Sequence, residues 1–411
     1  MAQTIAISQP GLIYHLQDNK SPALKIANQP FKSRPGNLHK IIVWAVIKLR
    51  IFYFACVILK RPALIWRTYK KMLALRENVW GGDLKKIYKV EGKYYFNQYT
   101  PGWPGKLYDS IIRQELKRHA APVPGDEKLS FVFLAITRKC PMRCEHCFEW
   151  DNLNKKESFT KEDLFKVVDL YQQQGVKQFH FSGGEPMVRF KDLLPLIKFA
   201  AKKSDCWVLT SGFNFTASNA RLLKDAGCIG VVVSIDHYIA ELHNMFRGNA
   251  GAFNEAVAAI KAAQMSGLVT SLSVCATKAF LNGEHLLPYM NFAKDLGVQF
   301  VQVLEPRNVG HYEGQNVLLE ESHIDFLERI FKQLNHDPHY KDFPTMMYHG
   351  FHQRRVGCYS GSRSVYVDSA GDVHACPFCH NKSYNIIDLV RKNVSQLPAK
   401  ENKCPQFGKI A

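Results

Sequence analysis

Phe131-Val-Phe-Leu-Ala-Ile136-Thr-Arg-Lys-Cys140-Pro-Met-Arg-Cys144-Glu-His-Cys147-Phe148 decides how the rest of the chain is read. Its first six residues are an unbroken apolar run of strand length, and the loop they feed spaces three cysteines as C-x3-C-x2-C. Three thiolates this close can hold an iron–sulfur cluster by three of its irons, leaving the fourth iron an open coordination position where chemistry can occur. The alternative is a structural zinc knot with His146 as fourth ligand. Such sites prefer a second ligand pair at finger or ribbon spacing, and none lies nearby.

Downstream, strand, loop and helix alternate. Apolar strands at 178–181, 206–209 and 229–235 run into Ser182-Gly-Gly-Glu-Pro186, Thr210-Ser-Gly212 and Asp236; two more follow at 270–274 and 300–304, the last meeting Glu305-Pro-Arg307. The first helix opens on the capping box Thr160-Lys-Glu-Asp163 and stops at Gly175. Helices at 191–203, 218–226, 252–266 and 285–296 follow, the last three closed by Gly227, Gly267 and Gly297. Such a pattern requires parallel strands joined by right-handed crossovers. It predicts an α/β fold, a partial (β/α)6 TIM-type barrel, with reactive groups at the C-terminal ends of its strands, where the loops just quoted fall.

The N-terminal third reads differently. Residues 1–38, with Pro10, Pro22, Pro30 and Pro35, form an extended arm to which no function is assigned. Residues 41–59 are almost long enough to span a bilayer but carry Lys48 and Arg50 at their centre, each costing about 2.5–3.5 kcal/mol on insertion. A helix lying in the membrane interface fits better, its Lys/Arg reaching lipid headgroups, continued by an amphipathic piece at 63–76; packing on the barrel or on a dimer partner, and RNA binding, are the alternatives. Of the net charge of +18, roughly +14 lies in residues 1–130, where 22 Lys/Arg face 8 Asp/Glu, which suggests attraction to an anionic surface. A small cap spans 84–120, and Pro122, Pro124 and Gly125 make a linker. Eleven cysteines without a signal-peptide pattern predict a reducing cytoplasm, peripheral to the inner face of the membrane, rather than a disulfide framework. Cys56, Cys206, Cys228 and Cys275 lie in apolar runs and read as core thiols.

The cysteine loop resembles the cluster motif of the radical S-adenosylmethionine (SAM) enzymes, with His146 where that family usually carries an aromatic. Gly183-Gly184-Glu185-Pro186 resembles the family's methionine-binding motif: two glycines let backbone acceptors approach, and Glu185 neutralises an ammonium. Ser234-Ile-Asp236 resembles the fourth-strand motif near the cofactor's ribose and carboxylate, and Ser211 falls in Thr210-Ser-Gly212, where Thr-Asn-Gly is more usual. Phe246-Arg247-Gly248 with Gly251-Ala252-Phe253 is similar to a pattern of members that carry a C-terminal cysteine extension. Cys358, Cys376, Cys379 and Cys404, around a hairpin at 365–373, resemble the SPASM or shorter twitch auxiliary-cluster domain, a zinc site being the alternative.

The resemblance implies a basic helical N-terminal region at 39–125, a radical SAM partial barrel at 126–340 and a small cysteine-rich β-hairpin domain at 341–411. It implies a [4Fe–4S] cluster on Cys140, Cys144 and Cys147, SAM against Gly183, Gly184, Glu185, Ser211, Ser234 and Asp236, and a second [4Fe–4S] cluster on the C-terminal cysteines. An electron from a donor such as flavodoxin or ferredoxin would cleave SAM to methionine and a 5′-deoxyadenosyl radical, which takes a hydrogen atom from the substrate. A peptide or protein is the first substrate expectation, a lipid, isoprenoid or other small molecule the alternative, and nucleic acid is not expected. No general acid or base is assigned; Glu305, Arg307 and Tyr359 are polar residues near the strand ends. The competing class, a non-enzymatic metal protein that binds membrane or RNA, leaves the 183–186 loop without a purpose.

Overall fold

The computed structural model describes residues 35–82, 86–120, 128–379, 381–394 and 396–398, with the backbone of β1 (Thr4–Ile5) and β2 (Tyr14–His15). The rest of the arm read over 1–38, as far as residue 34, and Cys404 lie outside the described residues, and the arm's last two residues open α1.

A helical layer comes first: α1 (Asn37–Leu59), α2 (Pro62–Trp80), the hairpin of β3 (Tyr88–Val90) and β4 (Lys93–Tyr95), and α3 (Lys106–Ala120). The alternating part then runs β5 (Phe131–Ala135), α4 (Lys161–Gln173), β6 (Gln178–Ser182), α5 (Phe190–Ala200), β7 (Asp205–Thr210), α6 (Ala217–Asp225) and β8 (Cys228–Ser234). It continues through α7 (Ala240–Arg247), α8 (Ala252–Met265), β9 (Val269–Cys275), α9 (Lys278–Asn282), α10 (Leu286–Leu296), β10 (Phe300–Leu304), α11 (Glu321–His336) and β11 (Thr345–Tyr348). The chain closes with α12 (His349–Val356), β12 (Ser364–Val367), β13 (Asp372–His374), β14 (Tyr384–Asn385) and α13 (Ile386–Arg391).

Strands β5 to β11 lie side by side in chain order and all parallel, an open partial barrel. Strands buried on both faces need no polar alternation, and every residue of β6 is accordingly buried. The capping box forms as read: Thr160 Oγ1 accepts from Asp163 N at 3.1 Å, and Asp163 Oδ2 from Thr160 N at 3.0 Å. A seventh parallel strand, β11, extends the six read from the sequence; at four residues it is too short to show a pattern of its own. The C-terminal hairpin continues the same sheet, because β12 pairs in parallel with β5, Val365 opposite Val132.

The helical layer covers the open side. Val43, Ile47, Ile51 and Phe54 of α1 pack against Phe96, Tyr108 and Leu116. The β3–β4 hairpin sets Tyr88, Val90 and Tyr95 on Trp207, Val232, Val269 and Phe300 of the sheet. Buried Lys86 pins this layer by donating to the carbonyls of Leu334, Phe343 and Pro344 at 2.7, 2.9 and 3.3 Å. Arg50 does not reach toward lipid headgroups: it makes two hydrogen bonds to Asp109 of α3, at 2.8 and 2.5 Å, and stacks on Phe54. Asp109 lies 59 residues away, so no local pattern announced the pair.

Arg363, just before β12, ties the sheet to α3 through Glu115 at 2.7 Å. Burial opposes the Glu115 charge, yet Arg363 and Arg118 hold its carboxyl well below the usual range. Arg363→Ala removes one of the two guanidiniums that compensate this carboxylate, Arg118 remaining, and should cost about 1.5–3 kcal/mol in urea unfolding. Arg221→Ala, which removes the exposed Arg221–Asp225 pair, should change stability by less than about 0.5 kcal/mol. Equal effects would contradict this account of the packing.

Candidate functional site

The cysteine loop leaves β5 at the C-terminal edge of the sheet and is held there by backbone bonds to the next loop. Gly184 N donates to Thr137 O and Glu185 N to Lys139 O, both at 2.8 Å. Only glycine allows this approach: a Cβ at Gly184 would lie 2.5 Å from Lys139 O and 3.0 Å from Cys140 Cβ, and Gly183 has φ +144°. On the other side Arg143 N and Glu145 N donate to Arg247 O and Phe246 O, each at 2.9 Å, while His311 N and Nδ1 meet Cys147 O and Cys144 O at 2.9 and 3.1 Å.

Cys140, Cys144 and Cys147 line a cavity of about 650 Å³, together with Gly183, Gly184, Glu185, Ser211 and Ser234. Cys358, Cys376 and Cys379 line the same cavity. Burial raises all three thiols of the first set, Cys140 to about 12. Among the described residues, no three His, Cys, Asp or Glu side chains are grouped so as to hold a single metal ion. His146 is half-buried, and desolvation lowers its pKa to about 4; its ring stacks on Phe246 at 4.9 Å, the contact an aromatic would make in its place.

Two of the sequence-derived residues have partners within the protein. The Glu185 carboxylate accepts from Thr210 Oγ1, Ser211 N and Ser211 Oγ, each at 2.7 Å, and from Met187 N at 3.0 Å. Burial pushes its carboxyl up while these donors oppose the shift, so Glu185 locks the second loop to the third. Asp236 does not line the cavity: its carboxylate is 2.5 Å from Arg247 and accepts from Cys275 N at 3.0 Å. Burial works against the Asp236 charge, but Arg247 holds its pKa below the ordinary value.

Arg247 is the residue that sequence reasoning missed. Buried and braced by Asp236, it donates from Nη1 to Cys144 Sγ at 3.4 Å and lines the cavity. Its only signal was the Phe246-Arg247-Gly248 string. Glu149 gave none: it is buried behind the cysteine loop, accepting from Tyr366 Oη and, at 2.5 Å, from Ser369 Oγ, and so docks the C-terminal hairpin. Phe148 adds edge contacts to Tyr366 and Phe378 at 5.6 and 5.8 Å. Glu305, with Tyr348 Oη at 2.7 Å, Arg354 at 2.5 Å and Arg307 at 3.1 Å, is a bracing carboxylate.

Residues 134–288 match the model of the radical SAM superfamily. It is 28% identical over 199 residues to a GTP 3′,8-cyclase of Mesorhizobium japonicum, covering 46% of this chain and 58% of that relative. It is 24% identical over 288 residues to an AdoMet-dependent heme synthase of Oleidesulfovibrio alaskensis, covering 64% and 74%. In fold it is similar to Streptococcus suis SuiB bound to its precursor peptide SuiA (TM-score 0.53, 13% identity, 83% and 81% covered). A second likeness is to anSMEcpe with bound AdoMet (TM-score 0.50, 20% identity, 64% and 80% covered). Three thiols on one cavity, a cationic N–H on one sulfur and a glycine cradle beside them are a donor set that suits an iron–sulfur cluster.

Gly184→Ala drives a Cβ into backbone that cannot yield. After anaerobic reconstitution it should hold clearly less iron per chain than wild type, with an unchanged circular dichroism spectrum; full iron loading would contradict the close approach.

Proposed function

We propose that this chain is a radical SAM enzyme working in a reducing cytoplasm. The observation that carries the reading is the meeting of Cys140, Cys144, Cys147, the 183–185 loop and Arg247 on one cavity at the C-terminal strand ends. With a [4Fe–4S] cluster and SAM bound there, the chemistry supplied is one-electron cleavage of SAM to methionine and a 5′-deoxyadenosyl radical that removes hydrogen from a substrate. The electron comes from a small reductant of the flavodoxin or ferredoxin kind.

The chain's own groups set this up. The three thiolates would hold a cluster by three of its irons, leaving one for SAM. Arg247 donates to the Cys144 sulfur, which favours the extra electron of a reduced cluster. Glu185, Thr210 and Ser211 fix the rim against which Gly183, Gly184 and Ser234 present backbone and hydroxyl groups to SAM. Apolar side chains over the cavity exclude water. Cys358, Cys376 and Cys379, with Cys404 from outside the described residues, would hold a second [4Fe–4S] cluster in a SPASM or twitch-like unit over 341–411, the barrel spanning 126–340.

A peptide substrate is a second-level reading, supported by the likeness in fold to SuiB, which binds SuiA.

Reconstituted anaerobically, wild type should hold about eight irons and Cys140/Cys144/Cys147→Ala about four. With dithionite and SAM, wild type alone should yield 5′-deoxyadenosine. Zinc in place of iron, or intact SAM, sinks the proposal. Arg247→Ala should lower the midpoint potential of the first cluster by about 60 mV, the equivalent of one hydrogen bond of ~1.4 kcal/mol in a one-electron couple. An unmoved potential would show that the Arg247–Cys144 contact does not tune it.

A further inference from the structure

Resting on the radical SAM reading of the site, we infer that the substrate is an amphiphile with a long apolar chain, taken from an anionic bilayer on which α1 lies. The helix is apolar on both sides. Its inner side is the packed face already described, so α1 cannot also be surrounded by lipid as a spanning helix. Its outer side leaves Leu38, Ile41, Ile42, Leu49, Tyr53 and Val57 between 47% and 72% exposed, at helical spacing along a rod of about 34 Å. At the junction with α2, Phe52, Trp66 and Tyr69 form an aromatic cluster, with Trp66 53% exposed.

Charge selects the occupant of this face. Residues 37–80 contain nine Lys/Arg, of which Arg50 is paired with Asp109, and one acid, Glu77. An apolar stripe with basic flanks fits an interfacial helix on anionic lipid. A second copy fits poorly, because two chains of net charge +18 would bring like basic faces together.

Behind the stripe the cavity continues. Ile47 and Ile51 of α1, Leu73 and Val79 of α2, and Ile111 and Ile112 of α3 line the same cavity as the cysteine loop. A peptide threaded among these side chains would leave its backbone N–H and C=O groups unpaired, at a cost of several kcal/mol each in an apolar medium. An acyl or isoprenoid chain has no such groups. Tyr359, also on this cavity, contributes a buried hydroxyl that has no hydrogen-bond partner among the described residues, a place for the polar end of an amphiphile.

The test uses the full-length, anaerobically reconstituted enzyme. It should sediment with vesicles of phosphatidylethanolamine and phosphatidylglycerol, and about tenfold less with phosphatidylcholine alone or in high salt. Ile42→Glu/Leu49→Glu, both at exposed positions, should weaken sedimentation about tenfold. Without vesicles, the fluorescent fatty acid cis-parinaric acid should bind wild type and bind Leu73→Trp about tenfold more weakly, iron content and circular dichroism being equal. Wild type that stays in the supernatant, parinaric binding indifferent to Leu73→Trp, or a dimer in light scattering that Leu49→Glu splits would each overturn the proposal. 5′-Deoxyadenosine measured in the same samples keeps the two readings apart: its absence with lipid binding intact sinks the radical reading, and its presence without lipid binding sinks this one.

Discussion

Taking three thiol groups out of water is the constraint on which this molecule depends. Burial raises the pKa of Cys140, Cys144 and Cys147 alike, so their thiolates are tenable only beside compensating positive charge. The protein supplies part of that charge through Arg247, itself held by Asp236, and iron would supply the rest. Arg247, the last residue of α7, ties that helix to the cysteine loop after β5, and the Asp236 that braces it follows β8.

Other polar ties serve the same end. Glu185 binds the loop after β6 to the loop after β7, and Glu149 binds the cysteine loop to the C-terminal hairpin. The sheet aligns these loops at one edge, and the helical layer roofs the space they enclose with aliphatic side chains. A buried carboxylate is costly unless every lone pair is met. In this chain such carboxylates repeatedly join segments far apart in sequence, as Glu115 also does with Arg363.

What the sequence made legible was local. The cysteine spacing, the glycine stops and the Thr160 capping box each lie within a few residues, and the parallel strands followed from their alternation. The ties between segments were hidden, because Asp109 and Arg50, or Glu149 and Ser369, have no sequence pattern linking them. Strand β11 was missed because four residues carry no usable period, and Arg247 because an arginine before a glycine reads equally well as a helix end. Helix α1 shows the limit most plainly: apolar all round, it does not reveal from composition which side packs on Phe96 and Tyr108 and which stays bare.

The most direct test of the central claim is the electron paramagnetic resonance spectrum of the dithionite-reduced enzyme with and without SAM. A cluster on Cys140, Cys144 and Cys147 with an open iron predicts a signal that changes when SAM is added and is lost in Cys140/Cys144/Cys147→Ala, any remaining signal being indifferent to SAM. A wild-type spectrum that ignores SAM, or no iron signal at all, would contradict it.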